Sequence, residues 1–164
     1  MALIRRTVID ILDRGLKKII VNDKTIFEEV QKLLVNTKNI KVELKEENLF
    51  NMYSLENQVK KMENRKLWLK CGGFITIDRT EALTAIDVNT GKYTGKKDLE
   101  ETIYKVNQEA TIEIAKQLRL RDIGGIIIID YIDMHKEENI EGIERLLKEE
   151  LKKDRAKIQV AGFT

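Results

Sequence analysis

Between Leu3 and Arg14 the apolar residues Ile4, Val8, Ile11 and Leu12 recur at helical spacing, and Gly15 follows where a C-terminal cap belongs. This pattern predicts a short amphipathic helix. Ile19-Ile20-Val21 reads as a strand, and Thr25-Ile26-Phe27-Glu28 has the spacing of a capping box ahead of the apolar positions Val30, Leu33 and Leu34, so a second helix is expected. Ile40, Val42 and Leu44 then alternate with Lys41, Glu43 and Lys45, the period-two signature of a half-buried strand. The order α-β-α-β favours parallel pairing through a right-handed crossover.

A helical pattern covers Leu49 to Glu63, with Tyr53, Leu55, Val59 and Met62 as inward positions. Three short extended segments follow, Leu67–Lys70, Phe74–Asp78 and Ala82–Val88, separated by Gly72-Gly73 and by Arg79-Thr80. Connections this short imply an antiparallel meander. Asp98 and the acids Glu100 and Glu101 offer an N-cap and first turn for a long helix to about Leu118, with Ile103, Val106, Ala110 and Ile114 facing the core. Past Gly124-Gly125, the unbroken run Ile126 to Ile129 reads as a central strand covered on both faces. Ile140, Ile143, Leu147 and Leu151 predict a last helix, and Lys157 to Val160 a last strand. The fold class is α/β, a mixed sheet flanked by helices, with a soft boundary between Leu55 and Asn64.

With 164 residues, 42% of them hydrophobic, the chain can bury a core of its own as one domain or two small ones. Acids and bases nearly cancel to +2, so a polyanion partner must be met by a local patch rather than by global charge. The single cysteine, Cys71, excludes an internal disulfide and a multi-cysteine zinc site built from this chain alone, which fits a reducing cytoplasm. The isoleucine run is far short of the roughly 20 apolar residues that a membrane span needs, so no membrane role is expected.

Asp87 and Asp130 each close a strongly apolar strand. In open α/β sheets, ligands bind beyond the carboxyl ends of the strands, where side chains from different strands converge. Two carboxylates meeting there repel unless a cation joins them, and magnesium needs only one or two carboxylates beside its waters and a substrate phosphate. Asn89 would project from the same face as Asp87 if the strand continues. An aspartate at a strand end is equally a turn former or helix cap, and Asp78 and Asp133 are competing acids in the same stretches. Asp133, beyond the isoleucine strand, is expected to bond backbone N–H groups in the turn to the last helix. Two basic clusters could meet phosphates: Lys92, Lys96 and Lys97 in the loop past Asn89, and Lys148, Lys152, Lys153, Arg155 and Lys157 near the end, where interspersed acids suggest a solvated helix face.

Four stretches together resemble the catalytic core of the ribonuclease E/G family: Glu81-Ala82-Leu83-Thr84-Ala85-Ile86-Asp87-Val88-Asn89-Thr90, Asp98-Leu99-Glu100-Glu101-Thr102, Arg119-Leu120-Arg121-Asp122-Ile123-Gly124-Gly125, and Ile129-Asp130-Tyr131-Ile132-Asp133-Met134. The likeness runs from about Leu49 to Val160. It implies part of a ribonuclease H-like segment over residues 1–55 and a deoxyribonuclease I-like catalytic subdomain over 56–164. It further implies that Asp87 and Asp130 hold a catalytic magnesium ion, for which manganese could substitute, that Asn89 assists them, and that single-stranded RNA is hydrolysed in RNA processing and decay. A full-length member of the family also carries an S1-type RNA-binding domain, a 5′-monophosphate pocket and a C-P-x-C zinc link between subunits. None of these stretches is in this sequence, so the chain is expected to be a fragment of a homo-oligomeric enzyme. Two rivals stand beside that reading: an RNA-binding or scaffold module without activity of its own, and a metal-dependent phosphoesterase acting on small substrates.

Overall fold

The computed structural model describes residues 2–12, 15–37, 39–91 and 99–163, which divide into two compact units, Met1–Lys60 and Lys61–Thr164. In the first unit, α1 (Ala2–Ile11) precedes β1 (Lys18–Val21), α2 (Lys24–Leu33) and β2 (Lys41–Leu44). β1 and β2 pair in parallel with Ile19 opposite Val42, as expected for a β-α-β crossover. Val8, Val30 and Leu34 are the buried centre, and Ile4, Leu12, Ile19, Ile26, Ile40 and Val42 pack around them. Thr25 does not cap α2: Asp23 does, its side chain accepting from the Ile26 N–H at 2.8 Å. A carboxylate at the N-cap satisfies an orphan donor and meets the positive end of the helix dipole.

The helix expected over Leu49–Glu63 is broken into α3 (Leu49–Met52) and α4 (Leu55–Met62) by Ser54, which adopts a left-handed φ of 50°. Tyr53 and Val59, expected to face inward, are exposed. Once the break rotates α4 relative to α3, a single 3.6-residue stripe no longer runs through both.

The second unit is built on a four-stranded sheet in the order β3-β4-β5-β6, from β3 (Lys66–Trp68), β4 (Phe74–Arg79), β5 (Leu83–Asn89) and β6 (Ile126–Asp130). The first three form the expected antiparallel meander, and β6 joins β5 in parallel. α5 (Leu99–Leu120) connects β5 to β6 and packs on one sheet face, and α6 (Glu137–Leu151) packs on α5. Ile75, Ile86, Val106, Ala110 and Ile114 are fully buried between sheet and helix, each large aliphatic contributing about 1.5–3 kcal/mol by leaving water. Asp98, the expected cap of α5, lies outside the described residues.

Two strand expectations are corrected. β6 is not central: it is the edge of the described sheet, and although Ile127 and Ile129 face the core, Ile126 and Ile128 are 64% and 53% exposed. An unbroken apolar run permits burial on both faces but does not compel it. Residues 157–160 form no strand; Val160 instead packs on the core and Phe163 stacks on Tyr131 with ring centroids 5.4 Å apart.

Candidate functional site

Strand alternation divides the second sheet into two faces. Leu67, Ile75, Ile77, Thr84, Ile86, Val88, Ile127 and Ile129 point to the helices, while Asp87 and Asp130 lie on the opposite, open face, both exposed. The parallel register sets Asp87 directly against Asp130, and the antiparallel register sets Thr76 against Asp87 on its other side. The two carboxylates are therefore cross-strand neighbours, with backbones about 4.8 Å apart across the ladder. β5 continues to Asn89, so Asn89 shares the face of Asp87, and its Nδ2 donates to Asp87 Oδ2 at 2.5 Å. Among the described residues no base forms an ion pair with either aspartate.

Of the competing acids, Asp78 is taken up by Arg65, which grips it through two bonds of 2.5 and 2.6 Å and holds its carboxyl below the usual carboxylate range. Asp133 is exposed and does not hold the turn as expected: the N–H groups of His135 and Lys136 both donate to Glu100, at 3.1 Å each. Lys92, Lys96 and Lys97 lie outside the described residues. In the second basic cluster, Lys148 pairs with Glu144 and Lys153 with Glu150, in keeping with a solvated helix face.

The segment leaving β6 is fastened to α5 by side chains that motif reasoning passed over. Asn107, wholly buried, donates from Nδ2 to the Ile132 carbonyl at 2.8 Å and accepts the Ile132 N–H on Oδ1 at 3.2 Å. Thr111, also wholly buried, gives its hydroxyl proton to the Asn107 carbonyl at 2.7 Å, so the Tyr131 hydroxyl must be the donor in the 2.9 Å contact between Tyr131 and Thr111. Burial pushes the Tyr131 phenol up to about 12. Glu100 adds the Asn139 amide to its two backbone donors, and those bonds, led by the Lys136 N–H, hold its carboxyl below the usual range. Glu100, Asn107 and Thr111 stand at i, i+7 and i+11, one face of α5. The available signal was Asn107 and Thr111 falling inside the apolar stripe of Val106, Ala110 and Ile114.

Gly73 fixes the other end of the site. A Cβ there would stand 2.7 Å from the Asn89 carbonyl oxygen and 3.0 Å from Val106, so only glycine lets the β3–β4 hairpin approach the end of β5 this closely. Cys71 in the same hairpin donates its N–H to Glu109 at 3.0 Å, and burial raises its thiol, which suits a structural role.

The Ribonuclease E/G family model matches residues 1–164. The chain belongs to the ribonuclease E/G family. It is 38% identical over 169 residues to Ribonuclease G of Salmonella typhimurium (strain SL1344), covering 100% of this chain and 35% of that protein. With Ribonuclease G of Haemophilus influenzae the identity is 40% over 171 residues, 99% of this chain and 34% of the relative. Ribonuclease E of Escherichia coli (strain K12) is 48% identical over 113 residues, 69% of this chain and 11% of the relative. The chain thus spans about a third of the length of the Ribonuclease G proteins it matches. In this ribonuclease E/G chain, the donor set on the open face is two adjacent carboxylates and an amide, and no cluster of three or more His, Cys, Asp or Glu able to hold a metal occurs among the described residues. Such a set suits an ion that keeps most of its waters, as magnesium does, better than one that needs an all-protein cage.

Proposed function

We propose that this chain carries the metal-binding carboxylates of an endoribonuclease that hydrolyses single-stranded RNA in the cytoplasm, within a longer, homo-oligomeric protein. The observation that carries the reading is the register of Asp87 against Asp130 on an exposed sheet face, two carboxyl side chains held side by side and, among the described residues, paired with no lysine or arginine. That arrangement costs stability unless a divalent ion bridges it. Asp87 and Asp130 would hold magnesium, with manganese as a substitute. When bound, the ion stabilises charge on the scissile phosphate and makes a coordinated water more acidic, leaving a 5′-phosphate and a 3′-hydroxyl. Asn89 orients the Asp87 carboxylate through its amide, and Asn107, by clamping Ile132 two residues past Asp130, is a positioning residue for the second ligand. Lys92, Lys96 and Lys97 would contact RNA phosphates from the loop after β5. We assign residues 1–55 to a ribonuclease H-like segment and 56–164 to the deoxyribonuclease I-like catalytic subdomain.

The test combines a melting curve with an RNA cleavage assay, each with and without magnesium. Magnesium binding only to the folded chain raises its melting temperature by mass action. Asp87→Asn and Asp130→Asn should each abolish the rise and any magnesium-dependent cleavage of single-stranded RNA, while Asp133→Asn keeps both. A wild-type chain whose melting is unmoved by millimolar magnesium, or an Asp133→Asn variant that alone loses the shift, would sink the assignment.

A further inference from the structure

The open face of the second sheet carries more than the aspartates. Trp68 is opposite Phe74 and Phe74 is opposite Asn89, so these three form one row across β3, β4 and β5. The next row, one side-chain repeat along, is Lys66, Thr76, Asp87 and Asp130. Trp68 is 65% exposed, its ring edge-to-face with Phe74 at 5.3 Å between centroids. The Lys66 ammonium stands 4.3 Å from the Trp68 ring centre and 3.5 Å from that of Phe74. With strands about 4.8 Å apart and same-face residues about 6.7 Å apart, Phe74 lies roughly 8 Å from Asp87 across the lattice.

We infer that Trp68 and Phe74, with Lys66, form a stacking subsite for a base of single-stranded RNA, next to the nucleotide whose phosphate meets Asp87 and Asp130. This deepens the function proposed above and rests on it. An indole left mostly in water gains free energy when a flat apolar partner covers it, and its place on a rigid strand beside the carboxylates sets where that partner lies. A base supplies the flat apolar partner that the rings can cover, and every base has such a face. The ammonium argues for a nucleotide over a purely apolar partner. Lys66 can leave the rings for a backbone phosphate as the base arrives, which makes one residue the anchor for both halves of the ligand. Rigid strands hold all of these groups at fixed spacing, so stacking a base here would place the adjoining phosphate rather than merely add affinity.

Trp68 is the single tryptophan of the chain, so the emission of the wild-type protein reports on this subsite alone. The experiment titrates the chain, in EDTA to prevent cleavage, with a single-stranded oligoadenylate, with an abasic strand of the same length, and with an RNA duplex. The expected result is saturable quenching by the oligoadenylate only. Labelled oligoadenylate should bind Trp68→Ala and Phe74→Ala about tenfold more weakly than wild type, whereas Trp68→Phe, which keeps a ring, retains most of the affinity. Asp133→Asn, at an exposed acid outside the subsite, should quench as wild type does. Equal quenching by the abasic strand, no quenching up to about 0.1 mM strand, or unchanged affinity of Trp68→Ala would each overturn the subsite. Loss of the magnesium-dependent melting shift with quenching intact would instead overturn the metal assignment, so the two failures are distinguishable.

Discussion

Asn107 is the side chain whose replacement tests the architecture of the site most directly. It is wholly buried on α5 and exchanges two hydrogen bonds with the backbone of Ile132, two residues past Asp130. Asn107→Leu keeps the approximate volume and removes both bonds, leaving the Ile132 N–H and C=O without their partner. Each unmade bond costs about 1 kcal/mol, and because Ile132 is half-buried, water can recover some of the larger desolvation penalty. The sum is about 2 kcal/mol, or about 8 °C in melting temperature at roughly 4 °C per kcal/mol for a domain near this size. Asn107→Asp separates charge from shape. Its oxygen still accepts the Ile132 N–H, but an ionised carboxylate sets a second oxygen against the Ile132 carbonyl, whereas the protonated acid donates there as the amide did. Burial and that carbonyl raise the folded pKa of the new acid above its unfolded value. Its stability is therefore retained at pH 4 and lost as pH rises through the folded pKa, making Asn107→Asp worse than Asn107→Leu at pH 7 and milder at pH 4. Thermal melts of the two variants across that range, with hydrogen exchange at the Ile132 amide, are the assay. If Asn107→Leu melts within about 2 °C of the wild type, or Asn107→Asp shows no pH dependence, the clamp does not hold the end of β6.

Glu100 is held below its usual value of 4.5 by the Lys136 N–H, the Asn139 amide and the His135 N–H, so its contribution is full above the unfolded carboxylate pKa and lost as pH falls through the folded one. Melting profiles of wild type and Glu100→Gln should accordingly converge below about pH 4, and parallel profiles would contradict the bonds. With its phenol raised to about 12, Tyr131 favours folding below pH 10, a preference lost between 10 and 12; ultraviolet titration should find a late-ionising component, and Tyr131→Phe should remove it. Gly73→Ala should cost about 1–3 kcal/mol, because its Cβ meets the Asn89 backbone oxygen rather than the yielding tip of a side chain. The amide resonance of Asn89 should shift more than those of α6, and a variant as stable as wild type would show that the hairpin can retreat freely.

The strands and helices of the second unit were legible because each carries one uninterrupted local pattern. The period-two apolar sets of β4 and β5 and the 3.6-period stripe of α5 each report burial on a single face, and the short Gly72-Gly73 and Arg79-Thr80 connections leave antiparallel pairing as the only geometry that fits. The family was legible for the same reason, since four ordered segments preserve residue identity without reference to packing. What the sequence could not decide was which residues meet across the chain. That Asp87 faces Asp130 depends on the register between β5 and β6, strands separated by a 22-residue helix, and a slip of one residue would have turned one carboxylate toward the core. The isoleucine run was compatible with a covered or an edge strand, and only its pairing with β5 turned Ile126 and Ile128 to the open face. The turn after β6 shows the same limit: Asp133 was the nearest acid in sequence, yet Glu100, 35 residues before His135, takes its N–H. Hydrogen bonds and register are settled by distance in space, and distance in space between remote segments is set by the packing of the whole unit rather than by any local pattern.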